Sequence, residues 1–120
     1  MVTTLTCIAI AVYFEARSES LLGQALVAET ILNRVEDIRW PNTACKVVKQ
    51  HRQFSFYSDG KSDKPRNKEL YKQAVAIAKE ALEGKGTNTG SLFFHASYVK
   101  PYWRHRFERI ARVGRHIFYK

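Results

Sequence analysis

Eight consecutive apolar residues, Cys7 to Phe14, run directly into a carboxylate, Glu15. A helix built on that run has no polar side, so other elements must pack all round it. So short a run also suits a buried strand, but alanines at positions 9, 11 and 16 favour the helix. The run falls far short of the roughly 20 residues that a membrane span needs. No lysine or arginine precedes it, and Glu15 and Arg17 follow where a cleavage site would carry small residues. We therefore expect no secretory signal.

The rest of the chain supplies the partners. Leu21, Ala25, Ala28, Ile31, Leu32 and Val35 fall on one face of a helix over 21–37, with Ser18 or Ser20 as its N-cap. Pro41 and Asn42 break the chain before a short helix over 44–50. Residues 51–66 are polar around an aromatic island (Phe54, Phe56, Tyr57), with Asp59-Gly60 marking a turn. A further helix from Asn67 to Glu83 carries the stripe Leu70, Ala74, Ile77, Ala78 and Ala81, and Gly84 and Gly86 end it. The period then changes. Ser91–Ala96 reads as a strand, and Glu108–Lys120, with Val113-Gly114 at its centre, as a hairpin. The expected fold is α+β: a helical body around a buried first helix, with a small antiparallel sheet whose outer face is basic. The 120 residues suit one domain, 1–120.

Charge is unevenly spread. Residues 1–60 hold six basic and six acidic side chains, whereas 61–120 hold fourteen and five and so carry the whole net charge of +9. Over 98–120, Glu108 is the only acid among seven lysines and arginines. Such a half-molecule attracts polyanions, whether nucleic acid, anionic lipid or the acidic polymers of a bacterial envelope.

Glu15 is the most unusual residue. At 100° per residue it lies about 20° from Ile8 and 40° from Ala11, on a helix with no polar side. Burial and the negative end of the helix dipole both favour its neutral form. A glutamic acid that keeps its proton near neutral pH is what general acid catalysis requires. The competing reading is a buried salt bridge with Arg17 or Arg34. Glu19, four residues on, would share its face if the helix continued, at the separation a retaining glycosidase uses. Ser18 and Ser20 argue for a turn there, so Glu19 is expected at the start of the next helix or bound to an arginine. Gln24, at the margin of the second helix's apolar face, either contacts substrate, orients Glu15 or bonds a loop backbone. His51, His95, His105 and His116 have no ligand spacing, so we expect no metal. His95 alone reads as a packed histidine, and Tyr98, Tyr102 and Trp103 either stack on sugars or bases or form the seam between sheet and helices. Cys7 and Cys45 are expected as buried free thiols, with a single bridge as the alternative.

The blocks Ala11-Val12-Tyr13-Phe14-Glu15-Ala16-Arg17-Ser18-Glu19, Gly23-Gln24-Ala25-Leu26-Val27-Ala28 and Ile31-Leu32-Asn33-Arg34-Val35 resemble a family signature. So do Trp40-Pro41-Asn42-Thr43, Gln53-Phe54-Ser55 and Asp59-Gly60. The family is the spore-cortex-lytic cell-wall hydrolases (SleB/CwlJ type). Phe94-His95-Ala96 and Pro101-Tyr102-Trp103 resemble its compact phage-borne branch. The resemblance implies a minimal lysozyme-like domain that acts on the glycan strands of peptidoglycan, cutting between N-acetylmuramic acid and N-acetylglucosamine. It implies Glu15 as the catalytic acid of a lytic transglycosylase, with Gln24, Gln53, Phe54, Ser55, His95 and Tyr98 as substrate-binding residues. The alternatives are a water-using muramidase or glucosaminidase with Glu19 or Asp59 as second carboxylate and, from the basic, aromatic C-terminal half, a nucleic-acid-binding module. The resemblance further implies no cofactor and no specific nucleic acid. It points to a monomeric phage lysin made in the host cytoplasm, acting on the wall with a holin as one route of export.

Overall fold

A computed structural model describes residues 3–50 and 65–120. Helix α1 spans Thr4–Ala16, α2 Leu21–Val35, α3 Ala44–Gln50 and α4 Lys68–Leu82. Strand β1 spans Phe93–Ala96, β2 Arg109–Val113 and β3 His116–Tyr119, with a 3-10 turn over Tyr102–His105. The α+β expectation holds, and each helix boundary has a local cause. Thr3, Ser20 and Asn67 cap α1, α2 and α4 through side-chain oxygens that accept N–H groups three residues on. Gly84, at φ +77°, ends α4 in a Schellman turn: Lys85 N–H donates to Glu80 O and Gly84 N–H to Ala81 O.

Helix α1 is the axis of the helical body and packs against α2, α3 and α4. Cys7, Ile8, Ala9, Ala11 and Val12 are fully buried, as the all-apolar run requires. Ile10 is half-buried, and Phe14 reaches the surface at 36% exposure. Tyr13 is buried, and its hydroxyl accepts from the backbone N–H of Asn67 (3.1 Å), tying α1 to the start of α4.

Cys7 and Cys45 form a disulfide between α1 and α3, which corrects the expectation of free thiols. Their Cα atoms lie 5.2 Å apart, within bridging reach. The residues are 38 apart in sequence, so no local pattern revealed the proximity.

Helix α2 departs from its expected amphipathic form. Leu21 and Leu22 are 57% and 52% exposed, whereas the polar Gln24, Glu29 and Thr30 are buried. The helix is wedged between α1, α4 and the segment leading into β1, so its polar side chains meet partners there. Glu29 Oε1 accepts from Thr89 N (2.6 Å), Thr89 Oγ1 (3.0 Å) and Gly90 N (3.0 Å). Thr30 Oγ1 donates to Leu26 O (2.8 Å) and shares a 2.7 Å hydrogen bond with Ser91 Oγ. Ser91 is therefore a buried anchor ahead of the strand, which begins two residues later than its sequence suggested.

The sheet is antiparallel in the order β1-β3-β2. The central strand β3 is buried along its whole length, while Arg109 and Arg112 of edge strand β2 are exposed. A register shift between Arg109 and Ala111 bends that edge. No helix among the described residues is long and apolar enough to cross a membrane.

Candidate active site

Glu15 lies in the last turn of α1, where the chain leaves the core. Its side chain borders a cleft of about 150 Å³, together with Ser18, Glu19, Tyr98, Arg115 and His116. The two arginines weighed as its ion-pair partners are engaged elsewhere. Arg17 donates to the Tyr13 hydroxyl (3.1 Å), and Arg34 donates through Nε to Leu92 O (2.7 Å). Among the described residues, no salt bridge or hydrogen bond reaches the Glu15 carboxyl, so the salt-bridge reading is overturned. Burial without a compensating partner raises its pKa from 4.5 to about 7.

Glu19 is brought into the same cleft, but its fate differs. The chain turns after Ala16, as the serines suggested, and Ser20 caps α2. Glu19 Oε1 then accepts the backbone N–H of Arg115 at 2.6 Å and lies 3.9 Å from His116 Nδ1. Its partner is thus the tip of the β2–β3 hairpin and not the arginine side chain that the sequence suggested. Gly114 makes the approach possible: a Cβ there would stand 2.5 Å from Glu19 Oε1, and its φ is +57°. His116 is buried, with Nδ1 lacking a hydrogen-bond partner. Burial is the largest influence on its pKa and lowers it; Glu19 opposes that shift and His95 adds to it.

The other candidates separate clearly. Gln24 lies outside the cleft: its amide is buried and donates to Glu19 O (3.1 Å) and Gln73 Oε1 (2.8 Å). It supports the turn that carries Glu19, the loop-backbone bond that the sequence held open for it. Tyr98, 82% exposed, stands between the Glu15 cleft and a second cavity of about 450 Å³. His95 borders that second cavity, but both ring nitrogens are engaged. Nδ1 donates to Ala96 O (2.7 Å), and Nε2 meets the Tyr119 hydroxyl at 2.8 Å. Trp103 packs edge-on to His95 and Tyr119 of the sheet, whereas Tyr102 is 77% exposed. Gln53, Phe54, Ser55 and Asp59 lie outside the described residues.

The sequence reading missed His116 and Arg115 as cleft residues. The one available signal was Gly114 at the centre of a hairpin, since a turn glycine permits close approach.

The chain matches the family model described as Cell Wall Hydrolase over residues 18–119. It is 36% identical over 111 residues to the spore cortex-lytic enzyme of Bacillus cereus, covering 92% of this chain and 41% of that protein. With the spore cortex-lytic enzyme of Bacillus subtilis it shares 32% identity over 113 residues, or 90% of this chain and 34% of the relative. The chain thus spans between about a third and two fifths of the length of such relatives. Among solved structures it is similar to the catalytic domain of the germination-specific lytic transglycosylase SleB from Bacillus anthracis. The TM-score is 0.81 at 31% identity, over 98% of this chain and 93% of that one. The catalytic domain of the Bacillus cereus SleB protein gives the same score and identity, over 98% and 89%.

Proposed function

The chain belongs to the cell wall hydrolase family, and from that premise we propose that it cleaves peptidoglycan glycan strands with Glu15 as proton donor. The observation that carries this reading is the Glu15 carboxyl itself: in a cleft, without a described partner, and with its pKa raised to about 7 by burial. At neutral pH about half of such groups hold a proton and can give it to a glycosidic oxygen.

The reaction best suited to the site is lytic transglycosylation between N-acetylmuramic acid and N-acetylglucosamine. Glu15 protonates the bridging oxygen as its bond to C1 breaks, leaving an oxocarbenium-like centre. The C6 hydroxyl of the same muramic residue then bonds to C1, and its proton passes to Glu15. One C–O bond breaks, one forms, and the acid ends in its starting state. A single carboxylate suffices, which fits a cleft whose second carboxylate, Glu19, is held by the hairpin backbone. The Glu19 side chain still shares that cleft, and this favours hydrolysis with Glu19 holding water as the second reading.

Tyr98 and Ala96 join the cleft to the 450 Å³ cavity beyond, which offers room for further sugar units of a glycan. The exposed Arg109, Arg112 and Arg115 would hold the anionic wall nearby, since Glu108 is paired with Lys120 at 3.4 Å. The blocks shared with the compact branch support a role as a phage lysin, with 1–120 as its catalytic domain.

Mass spectrometry of the released muropeptides tests the reaction. Products with 1,6-anhydro ends, lighter by one water, support the transglycosylase; reducing ends indicate hydrolysis. The absence of released fragments would contradict both.

A further inference from the structure

The cavity adjoining the Glu15 cleft contains a cation that has no anion among the described residues. Arg34, in the last turn of α2, lines it together with Phe93, Pro101 and Trp103. Its guanidinium is fixed on one edge, where Nε donates to Leu92 O at 2.7 Å. The guanidinium carbon also stands 5.0 Å from the Trp40 ring centre and 5.8 Å from that of Phe93. Among the described residues no carboxylate pairs with it, and neither η nitrogen has an acceptor.

The neighbouring Arg39 provides the contrast. It stacks on the same two rings, at 4.8 and 5.9 Å, yet Asp37 takes its Nε and Nη2 at 2.9 Å each. Of two guanidiniums around one aromatic pair, one carries its own carboxylate and the other lines the cavity without one among the described residues.

A half-buried cation lacking an anion gains from any anion that can reach it. The ligand class follows from the walls. Among the described residues Arg34 is the one lysine or arginine lining this cavity, which suits a single negative charge. The guanidinium is planar, and with its Nε edge occupied the two η nitrogens remain as a fork matched to a flat, two-oxygen acceptor. The surrounding rings and Pro101 suit an apolar group beside that acceptor. Burial lowers the Arg34 pKa to about 10, which leaves the cation charged at neutral pH.

We propose that Arg34 receives a carboxylate carried by the glycan strand, seated in the cavity that joins the Glu15 cleft at Ala96 and Tyr98. The inference rests on the glycan-cleaving reading above. Two groups on such a strand have this chemistry: the free lactyl acid of a muramic residue, and a carboxylate of its stem peptide.

Three glycan preparations distinguish the sources: strands with stem peptides, strands stripped to the free lactyl acid, and stripped strands whose lactyl acid is converted to the amide. kcat/KM is measured on each for the parent enzyme, Arg34→Gln and Arg34→Lys. The parent is expected to prefer a carboxylate-bearing strand over the amide by about ten- to a hundredfold, the range of a charge-assisted hydrogen bond. Faster cleavage of peptide-bearing strands than of the stripped acid assigns the site to the stem, and the reverse order assigns it to the lactyl group. Arg34→Gln should bring the ratio near one, and Arg34→Lys should restore part of it. Equal parent rates on all three preparations would overturn the proposal without recourse to any variant. So would an Arg34→Gln enzyme that loses the same factor on all three, since a purely structural arginine behaves that way. If the parent cleaves none of the three, the glycan-cleaving reading itself falls, and this subsite falls with it.

Discussion

Glu19 and Arg115 are 96 residues apart in sequence, and a 2.6 Å hydrogen bond from the Arg115 backbone N–H to the Glu19 carboxylate joins them. That contact fastens the α1–α2 turn to the β2–β3 turn, and the two turns form one side of the cleft beside Glu15. The first prediction follows. Glu19→Ala should lose about 1.5–3 kcal/mol of stability, the range for a hydrogen bond to a charged group, while Glu19→Gln retains an acceptor oxygen and part of that stability. Gly114→Ala should destabilise comparably, because the added methyl meets Oε1 at 2.5 Å on a backbone at φ +57°. Urea unfolding of the three variants checks this; an unperturbed Gly114→Ala would mean that the turns are not in contact.

Stability should depend on pH through Glu15. Its folded pKa, about 7, lies above the ordinary 4.5, so between those values the folded chain binds the extra proton. Stability contributed by the proton is complete below pH 4.5, falls as the pH rises through the window and levels off above about 7. The span corresponds to ~3 kcal/mol as an upper figure. Glu15→Gln should therefore be more stable than the parent at pH 8 and indistinguishable from it at pH 4. Thermal melts at both pH values measure this, and a variant less stable than the parent at pH 8 would contradict it.

The disulfide joins the central helix to α3 across 38 residues. Loop-closure entropy assigns such a cross-link about 4 kcal/mol. Replacing both cysteines with alanine should lower the denaturation midpoint accordingly, with peptidoglycan cleavage retained at temperatures where the variant stays folded. An unchanged midpoint would show that the bridge contributes nothing.

How much of this was legible in the sequence depended on the range of the interaction. The run from Cys7 to Phe14 disclosed a central helix because periodicity is local, and Ser20, Asn67 and Gly84 marked boundaries through contacts within a few residues. The raised pKa of Glu15 was legible too, because its apolar neighbours are on its own helix. Ambiguity began wherever a polar residue had to find a distant partner. Gln24 bonds Gln73, Glu29 bonds the turn at Thr89 and Gly90, and Glu19 bonds Arg115, and no spacing rule encodes those meetings. Leu21 fitted the apolar stripe of α2 by angle but stands in its first turn at the rim of an open cleft against α4, and so remains exposed. Arg34 was considered only as a partner for Glu15, since the cavity that gives it another role is assembled from β1 and the segment after it.

The most direct measurement is the rate at which Glu15→Gln releases soluble fragments from purified peptidoglycan, beside the parent and with its fold verified by circular dichroism. The amide keeps the size of the side chain and removes the proton that a general acid must give. A folded variant slowed at least a hundredfold is the predicted result, in line with what positioned acid catalysis contributes. A folded variant that clears peptidoglycan at a rate near the parent's would contradict the assignment of Glu15 as the proton donor.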